Sequence, residues 1–100
     1  MNLGNGIRPS TLPEQVHAYR TIGPFDGSTL PAGLRRTHDL AEDVWGVVSL
    51  EEGNIAFIWE DAGGERVELV APAELVVPPR IPHHVEAGGN FRLSITFYRA

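Results

Sequence analysis

The fold is decided by an alternating stretch near the middle of the chain, Asn54-Ile55-Ala56-Phe57-Ile58-Trp59-Glu60. Its largest side chains recur at every second position: Ile55, Phe57 and Trp59. A period of two is typical of a β-strand with one packed face. The same alternation occurs in Arg92–Arg99 and, more briefly, in Arg66–Val70. These stretches predict strands that each turn one apolar face towards a common core.

Turn-forming residues separate the alternating stretches at fairly regular intervals after residue 30. They are Leu30-Pro31-Ala32-Gly33, Glu52-Gly53-Asn54, Ala62-Gly63-Gly64, Pro78-Pro79 and Ala87-Gly88-Gly89-Asn90. Glycine adopts the positive φ of tight turns, and proline fixes φ while removing a ladder donor. Short strands divided in this way predict an all-β sandwich or barrel. We expect a hairpin at Glu52-Gly53-Asn54 and a further strand over Gly33–His38.

The start of the chain differs from this pattern. Ser10 or Thr11 suits a helix cap, Pro13 suits a first turn, and Glu14 is placed to reach back to the cap. The following residues are too few to extend a helix. Residues 1–18 are therefore expected to form an irregular lead-in or one helical turn.

Length and composition exclude several classes of protein. One hundred residues are the size of one domain. The chain has no Cys and no Lys, which excludes a disulfide, a thiolate nucleophile and a lysine Schiff base. The net charge is −5 and Arg35-Arg36 is the one basic pair, so nucleic acid is not an expected partner. No apolar run is long enough to span a bilayer, and Met1–Gly6 lacks the features of a signal peptide. We therefore expect no membrane association and a cytoplasmic location.

The histidines are the main candidates for chemistry, and they are His17, His38, His83 and His84. His83 and His84 follow a segment with three prolines in five residues, which holds the backbone extended and delivers an imidazole rigidly. Neighbouring residues of a strand point in opposite directions. Either His83 with Val85 or His84 with Glu86 therefore faces the interior. His17 is expected to be a surface or lead-in residue.

Several short motifs in a fixed order resemble one small cupin family. They are Tyr19-Arg20-Thr21, Pro24-Phe25, Leu30 to His38, Trp45-Gly46, Leu50 to Gly53, Pro82 to Glu86, and Phe97-Tyr98-Arg99. The resemblance is to the N-terminal domain of the tellurite-resistance protein B family and its stand-alone relatives, and it covers about residues 19 to 99. It implies a cupin-like double-stranded β-helix, or jelly-roll barrel, as a single domain over residues 19–100. Long family members add a methyltransferase domain, but the resemblance implies no such activity for these residues.

By the same resemblance, His38 matches the histidine of the first cupin motif and His83 that of the second. Leu40 stands where metal-binding cupins have a second histidine, and Arg80 stands where glycine is usual. The expected metal ligands are His38, His83 and Glu86, for a divalent metal such as Zn, Ni or Fe. The alternative is that both histidines line the pocket and form hydrogen bonds without a metal.

The expected ligand-binding residues are Arg36, His38, His83 and Tyr98. Arg36 would share a strand face with His38, where its planar guanidinium suits a small anionic ligand. Its alternative role is a surface ion pair with Asp39 or Glu42. Tyr98 lies on a strand face with polar residues, so it either donates into the pocket or lies on the outer wall.

Three functions remain open from the sequence. The first is a small-molecule-binding protein, which the resemblance associates with stress response or detoxification. The second is a metal-dependent enzyme of oxygenase or isomerase type, in which open metal positions carry the reaction. The third is a structural or partner-binding module with a degenerate site, for which a homodimer through an edge strand is one form. The sequence leaves open whether the protein is an enzyme.

Overall fold

The computed structural model describes residues 9–61 and 64–100, and in these ranges the fold is all-β. The strands are β1 (His17–Phe25), β2 (Trp45–Trp59), β3 (Arg66–Val70), β4 (Ala73–Val77), β5 (His83–Glu86) and β6 (Phe91–Arg99). A single 3₁₀ turn, Ala32–Arg35, lies between β1 and β2. In the described ranges, no helix has the length and apolar character needed to cross a membrane.

The strands form two antiparallel sheets that share β2. In the first sheet, β6 pairs with β1 on one side and with the N-terminal half of β2 on the other, and β4 pairs with the far side of β2. In the second sheet, the C-terminal half of β2 lies between β3 and β5. Because one strand serves both sheets, their inner faces enclose a common core, as expected for a cupin-like barrel.

The expected hairpin at Glu52-Gly53-Asn54 is wrong, because β2 runs through these residues without turning back. The pairing of β2 with β6 shifts by one residue between Leu50 and Glu52, which marks a β-bulge. Gly53 has φ +80°, and a Cβ there would lie 2.1 Å from the Asn90 carbonyl oxygen. The glycine is therefore required by a bend within a strand and not by a turn between two strands.

The bulge also changes which residues of β2 face inward. Before it the β2 side chains in the buried core cluster are even-numbered, Val48 and Leu50, and after it they are odd-numbered, as at Ile55 and Phe57. One inserted residue reverses the alternation, since side chains point to opposite faces with a period of two. The predicted inward faces of Asn54–Glu60, Arg66–Val70 and Arg92–Arg99 are confirmed. Their core members are Ile55, Phe57, Trp59, Val67, Leu69, Leu93, Ile95 and Phe97.

The expected strand over Gly33–His38 is also wrong. The chain here forms the 3₁₀ turn, in which the Leu34 N–H donates to the Pro31 carbonyl oxygen at 3.0 Å, and only His38 pairs with a strand. At the start of the chain, Pro13–Val16 form one turn and β1 already begins at His17. The first eight residues of the expected lead-in, and residues 62 and 63 of one expected turn, lie outside the described ranges.

Candidate functional site

Two histidines meet at the end of the second sheet because their backbones pair directly. The His38 N–H donates to the His83 carbonyl oxygen at 3.0 Å, and the His83 N–H donates back to His38 at 2.9 Å. Residues that exchange both bonds in an antiparallel pair place their side chains on the same face. The two imidazole rings accordingly lie edge to face, with centroids 4.4 Å apart. We call His38 and His83 the two-histidine site.

Both rings are oriented by the same kind of hydrogen bond. The Nδ1 atom of His38 donates to the Arg36 carbonyl oxygen at 2.9 Å, and Nδ1 of His83 donates to the Ile81 carbonyl oxygen at 2.8 Å. A carbonyl oxygen can only accept, so each Nδ1 carries the proton. In the neutral rings the lone pair is then on Nε2. No group in the described ranges hydrogen bonds to either Nε2 atom.

His83 is the more deeply buried of the two, with 4 % of its surface exposed. Its ring stacks on Phe57 at 5.0 Å between centroids and meets Trp59 edge to face. This burial lowers the pKa of His83 from 6.5 to about 4, because an apolar environment disfavours the charged ring. His83 is therefore neutral at physiological pH, and its Nε2 atom is available as a lone-pair donor.

The two-histidine site borders a small apolar cavity between the sheets. Its volume is about 90 Å³, which is the space of about three water molecules. Among the described residues that line it, His38 and His83 are the only ones with polar side chains. The remaining lining residues are Leu34, Leu40, Gly46, Val48, Phe57, Val77, Val85, Ile95 and Phe97. The cavity therefore offers two imidazoles in an otherwise apolar enclosure.

Three of the expected site residues, Arg36, Tyr98 and Glu86, do not line this cavity. Arg36 is exposed, since the segment before His38 is a turn and not a strand. Its expected ion pair with Asp39 or Glu42 is also absent from the described ranges, where Asp39 pairs with Arg80 at 3.5 Å. Tyr98 lies on the strand face opposite to Ile95 and Phe97, so it points away from the cavity.

Glu86 lies on the outer face of the second sheet, together with His84, because β5 alternates and His83 faces inward. There the Glu86 carboxylate accepts hydrogen bonds from Nε2 of His84 at 3.1 Å and from Arg66 at 2.8 Å. The expected set of His38, His83 and Glu86 is therefore not brought together. No group of three or more His, Cys, Asp or Glu side chains in the described ranges is arranged to hold a metal.

A polar network covers this outer face. It consists of Thr37, Glu60, His84, Glu86, Arg66 and Glu68, and we call it the outer-face network. One oxygen of Glu60 accepts from both the Thr37 hydroxyl and Nδ1 of His84. These hydrogen bonds lower the pKa of Glu60, with that from Thr37 the larger cause. Hydrogen bonds to Glu86, then Glu60, raise the pKa of His84.

Leu40 and Phe57 contribute to the site in ways that the sequence only partly indicates. Leu40 lines the cavity at the position where the cupin motif has a second histidine, and it packs beside Gly46. The motif comparison could therefore have placed it in the pocket as an apolar wall. Phe57 was predicted to face the core, but its stacking on His83 follows from the pairing of β2 with β5.

Comparisons with known proteins agree with this architecture. The structure of TehB from Haemophilus influenzae superposes with a TM-score of 0.78 at 19 % identity, over 86 % of this chain and 32 % of that one. A protein from Escherichia coli strain K12 superposes with a TM-score of 0.78 at 22 % identity, over 90 % of this chain and 96 % of that one. The chain thus spans about a third of the first protein and nearly all of the second.

A more distant similarity is to HppE with Co(II) and substrate, with a TM-score of 0.54 at 16 % identity, over 95 % of this chain and 60 % of that one. No curated protein matches the sequence. The model of the TehB-like domain matches residues 20–95, from β1 into β6. That match includes both histidines and every strand that borders the cavity, and the chain belongs to the TehB-like domain family.

Proposed function

We propose that the protein is a small-ligand-binding domain in which His38 and His83 hold a divalent metal through their Nε2 atoms. The observation that carries the proposal is the matched orientation of the two rings. Each Nδ1 is bonded to a carbonyl oxygen two residues earlier, and each Nε2 has no partner in the described ranges. An Nδ1–H bonded to a carbonyl is the usual support of a metal-binding histidine.

The electrostatics of His83 favour the same role. Metal ligation requires the neutral imidazole, and the low pKa of His83 means that no proton must be removed at neutral pH. Imidazole nitrogen suits Zn, Ni and Fe. The structures of HppE with Fe(II) and with Co(II) share the general fold, which supports a metal in a barrel of this kind.

Two histidines supply half of a tetrahedral coordination set. The described residues add no third ligand, so the remaining positions would be filled by water or by a ligand. A metal with open positions polarises a bound group as a Lewis acid. A metal ion held in this way is expected to exchange readily with metal ions in solution, unlike one held by four protein ligands in a structural site.

The cavity defines the class of ligand. About 90 Å³ of apolar space accepts a few non-hydrogen atoms, and the described residues of its walls include no Arg to pair with a free anion. Burying an unpaired anion there would be costly. The ligand that fits is a small molecule with one oxygen, nitrogen or sulfur donor for the metal and an apolar remainder. An anionic donor is accommodated only when the metal neutralises its charge.

Metal binding to protein without an affinity tag tests the proposal. Equilibrium dialysis against Zn(II), Ni(II) and Co(II) is expected to give one metal per chain. His38→Ala and His83→Ala are each expected to weaken that binding about tenfold or more. His17→Ala is the matched control, since His17 lies exposed at the start of β1, and it should leave binding unchanged. Binding that is absent, or equally strong in all three variants, would contradict the proposal.

A further inference from the structure

The contact that places His38 beside His83 is a single backbone bridge and not a continuous pair of strands. Before His38 the chain forms the 3₁₀ turn, and His38 is the one residue of this segment that pairs with β5. Two backbone hydrogen bonds at the edge of a sheet are weak restraints by themselves, because edge segments open locally. Other contacts must therefore hold this bridge closed.

The outer-face network supplies such contacts at the neighbouring residues. Thr37 precedes His38 and His84 follows His83, so in the antiparallel pair these two lie opposite each other on the outer face. One oxygen of Glu60 accepts hydrogen bonds from both. Glu60 also donates its backbone N–H to the Pro82 carbonyl oxygen at 2.7 Å. One residue immediately after β2 thus contacts both histidine-bearing segments.

We propose that Glu60 is the positioning residue of the two-histidine site, joining Thr37 to His84 on the outer face so that His38 and His83 stay adjacent inside. The inference rests on the proposed function for its importance. The hydrogen bonds of Thr37 and His84 to Glu60, which we call the clamp, are nevertheless a property of the metal-free protein. Hydrogen bonds to a carboxylate are about twice as strong as neutral ones, which suits a restraint on the surface. Glu60 is not among the residues that line the cavity.

The geometry predicts a specific pattern among variants. Thr37→Val keeps the side-chain shape but removes the hydroxyl, and Glu60→Leu removes the shared acceptor. Thr37→Ser retains the hydroxyl, and Glu60→Gln retains one oxygen that accepts hydrogen bonds. The first two variants should loosen the bridge, whereas the second two should preserve most of it. Glu74→Gln on β4 is the control, since its carboxylate contacts only Ser49, at 3.4 Å, among the described hydrogen bonds.

Amide hydrogen exchange of the metal-free protein, followed by NMR, reads the bridge directly. Exchange of the His38 N–H is expected to become about tenfold faster in Thr37→Val and Glu60→Leu, and to stay within about threefold in Thr37→Ser and Glu74→Gln. Exchange of the buried Phe57 amide should not change. The proposal is overturned if the His38 rate is unchanged in the first two variants, or if the Phe57 rate rises by the same factor.

Metal titration of the same variants separates this proposal from the proposed function. If the two-histidine site binds metal, Co(II) affinity should fall in Thr37→Val and Glu60→Leu and recover in Thr37→Ser and Glu60→Gln. Unchanged affinity in Thr37→Val and Glu60→Leu would overturn the positioning role. If the unaltered protein binds no metal while the His38 exchange rate still responds as expected, the clamp stands and the metal proposal alone fails.

Discussion

Acidification should destabilise the protein through one buried side chain, His83. Burial lowers its pKa from 6.5 to about 4 in the folded protein. Above pH 7 the ring is neutral in both the folded and the unfolded chain and contributes no pH dependence. Below pH 6.5 the unfolded chain binds a proton that the folded chain does not yet accept. The unfolded state therefore binds more protons, and the free energy of unfolding falls as the pH falls.

The magnitude follows from the difference between the two pKa values. Each unit of difference is worth about 1.4 kcal/mol, so the free energy of unfolding loses about 3.4 kcal/mol well below pH 4, and about 3 kcal/mol of this is lost by pH 4. At pH 4.5 the same linkage relation gives about 2.5 kcal/mol. Domains of this kind are commonly stable by only about 5–15 kcal/mol, so the effect is large enough to measure.

The assay compares the natural protein with His83→Asn. The Asn amide nitrogen can take the position of Nδ1 and donate to the Ile81 carbonyl oxygen, but it does not titrate. Urea unfolding is followed by tryptophan fluorescence between pH 7.5 and 4.5 with a chelator present, since a bound metal would change the linkage. The difference in unfolding free energy between the two proteins should shrink by about 2.5 kcal/mol over that range.

The unfolding free energy of His83→Asn is subtracted from that of the natural protein at each pH, which removes the contributions of the other titrating groups. His84 acts in the opposite direction, because its raised pKa makes its protonated form stabilising at low pH. It is present in both proteins and cancels. A difference that changes by less than about 1 kcal/mol, or an NMR titration that gives His83 a pKa above 6, would refute the reasoning.

Three further predictions concern the bend, the cavity and the approach to the site. Gly53→Ala should cost at least about 3 kcal/mol in urea unfolding, because φ is +80° and the new Cβ would lie 2.1 Å from the Asn90 carbonyl oxygen. At Gly33 a new Cβ would meet no described atom within 4 Å outside its own turn, so Gly33→Ala should change stability by less than about 0.5 kcal/mol. A loss of stability as large in Gly33→Ala as in Gly53→Ala would contradict the role of the bend. Leu40→His places a third imidazole in the cavity and should strengthen Co(II) binding about tenfold or more in dialysis, whereas unchanged affinity would argue against a metal there. Arg80→Gly should leave stability unchanged or raise it by up to about 1 kcal/mol, because Arg80 has φ 64°, and a loss above about 1 kcal/mol would show that its side chain matters more than its backbone.

Much of the barrel could be predicted from alternation. Wherever a strand is half-buried, every second side chain must be apolar, so Ile55 and Ile95 identified the inner faces without further information. The two errors in the predicted fold, a hairpin at Gly53 and a strand over Gly33–His38, arose because each local pattern fits more than one backbone conformation. Gly53 was correctly identified as a residue with special backbone geometry, but a positive φ serves a bulge as well as a turn. The Gly33–His38 segment likewise has too short a pattern to distinguish a strand from a 3₁₀ turn.

The candidate site was predicted only in part for a different reason. Alternation along β5 required that His83 and Glu86 lie on opposite faces, and the motif pattern identified His38 and His83 as the histidines of the pocket. The position of Arg36 depended on the conformation of a segment that no local pattern determined. The role of Glu60 could not be foreseen, because nothing near it in the sequence indicates its contacts with Thr37 and His84.

The sequence by itself determined the all-β class, the inward faces of the strands and the separation of His83 from His84, since each of these depends on local periodicity. Only the tertiary structure decided that β2 bends to serve two sheets, that His38 pairs with His83, and that both residues line a small apolar cavity. The two histidines lie 45 positions apart along the chain. Such contacts depend on how the sheets close around the core, which no short stretch of sequence encodes.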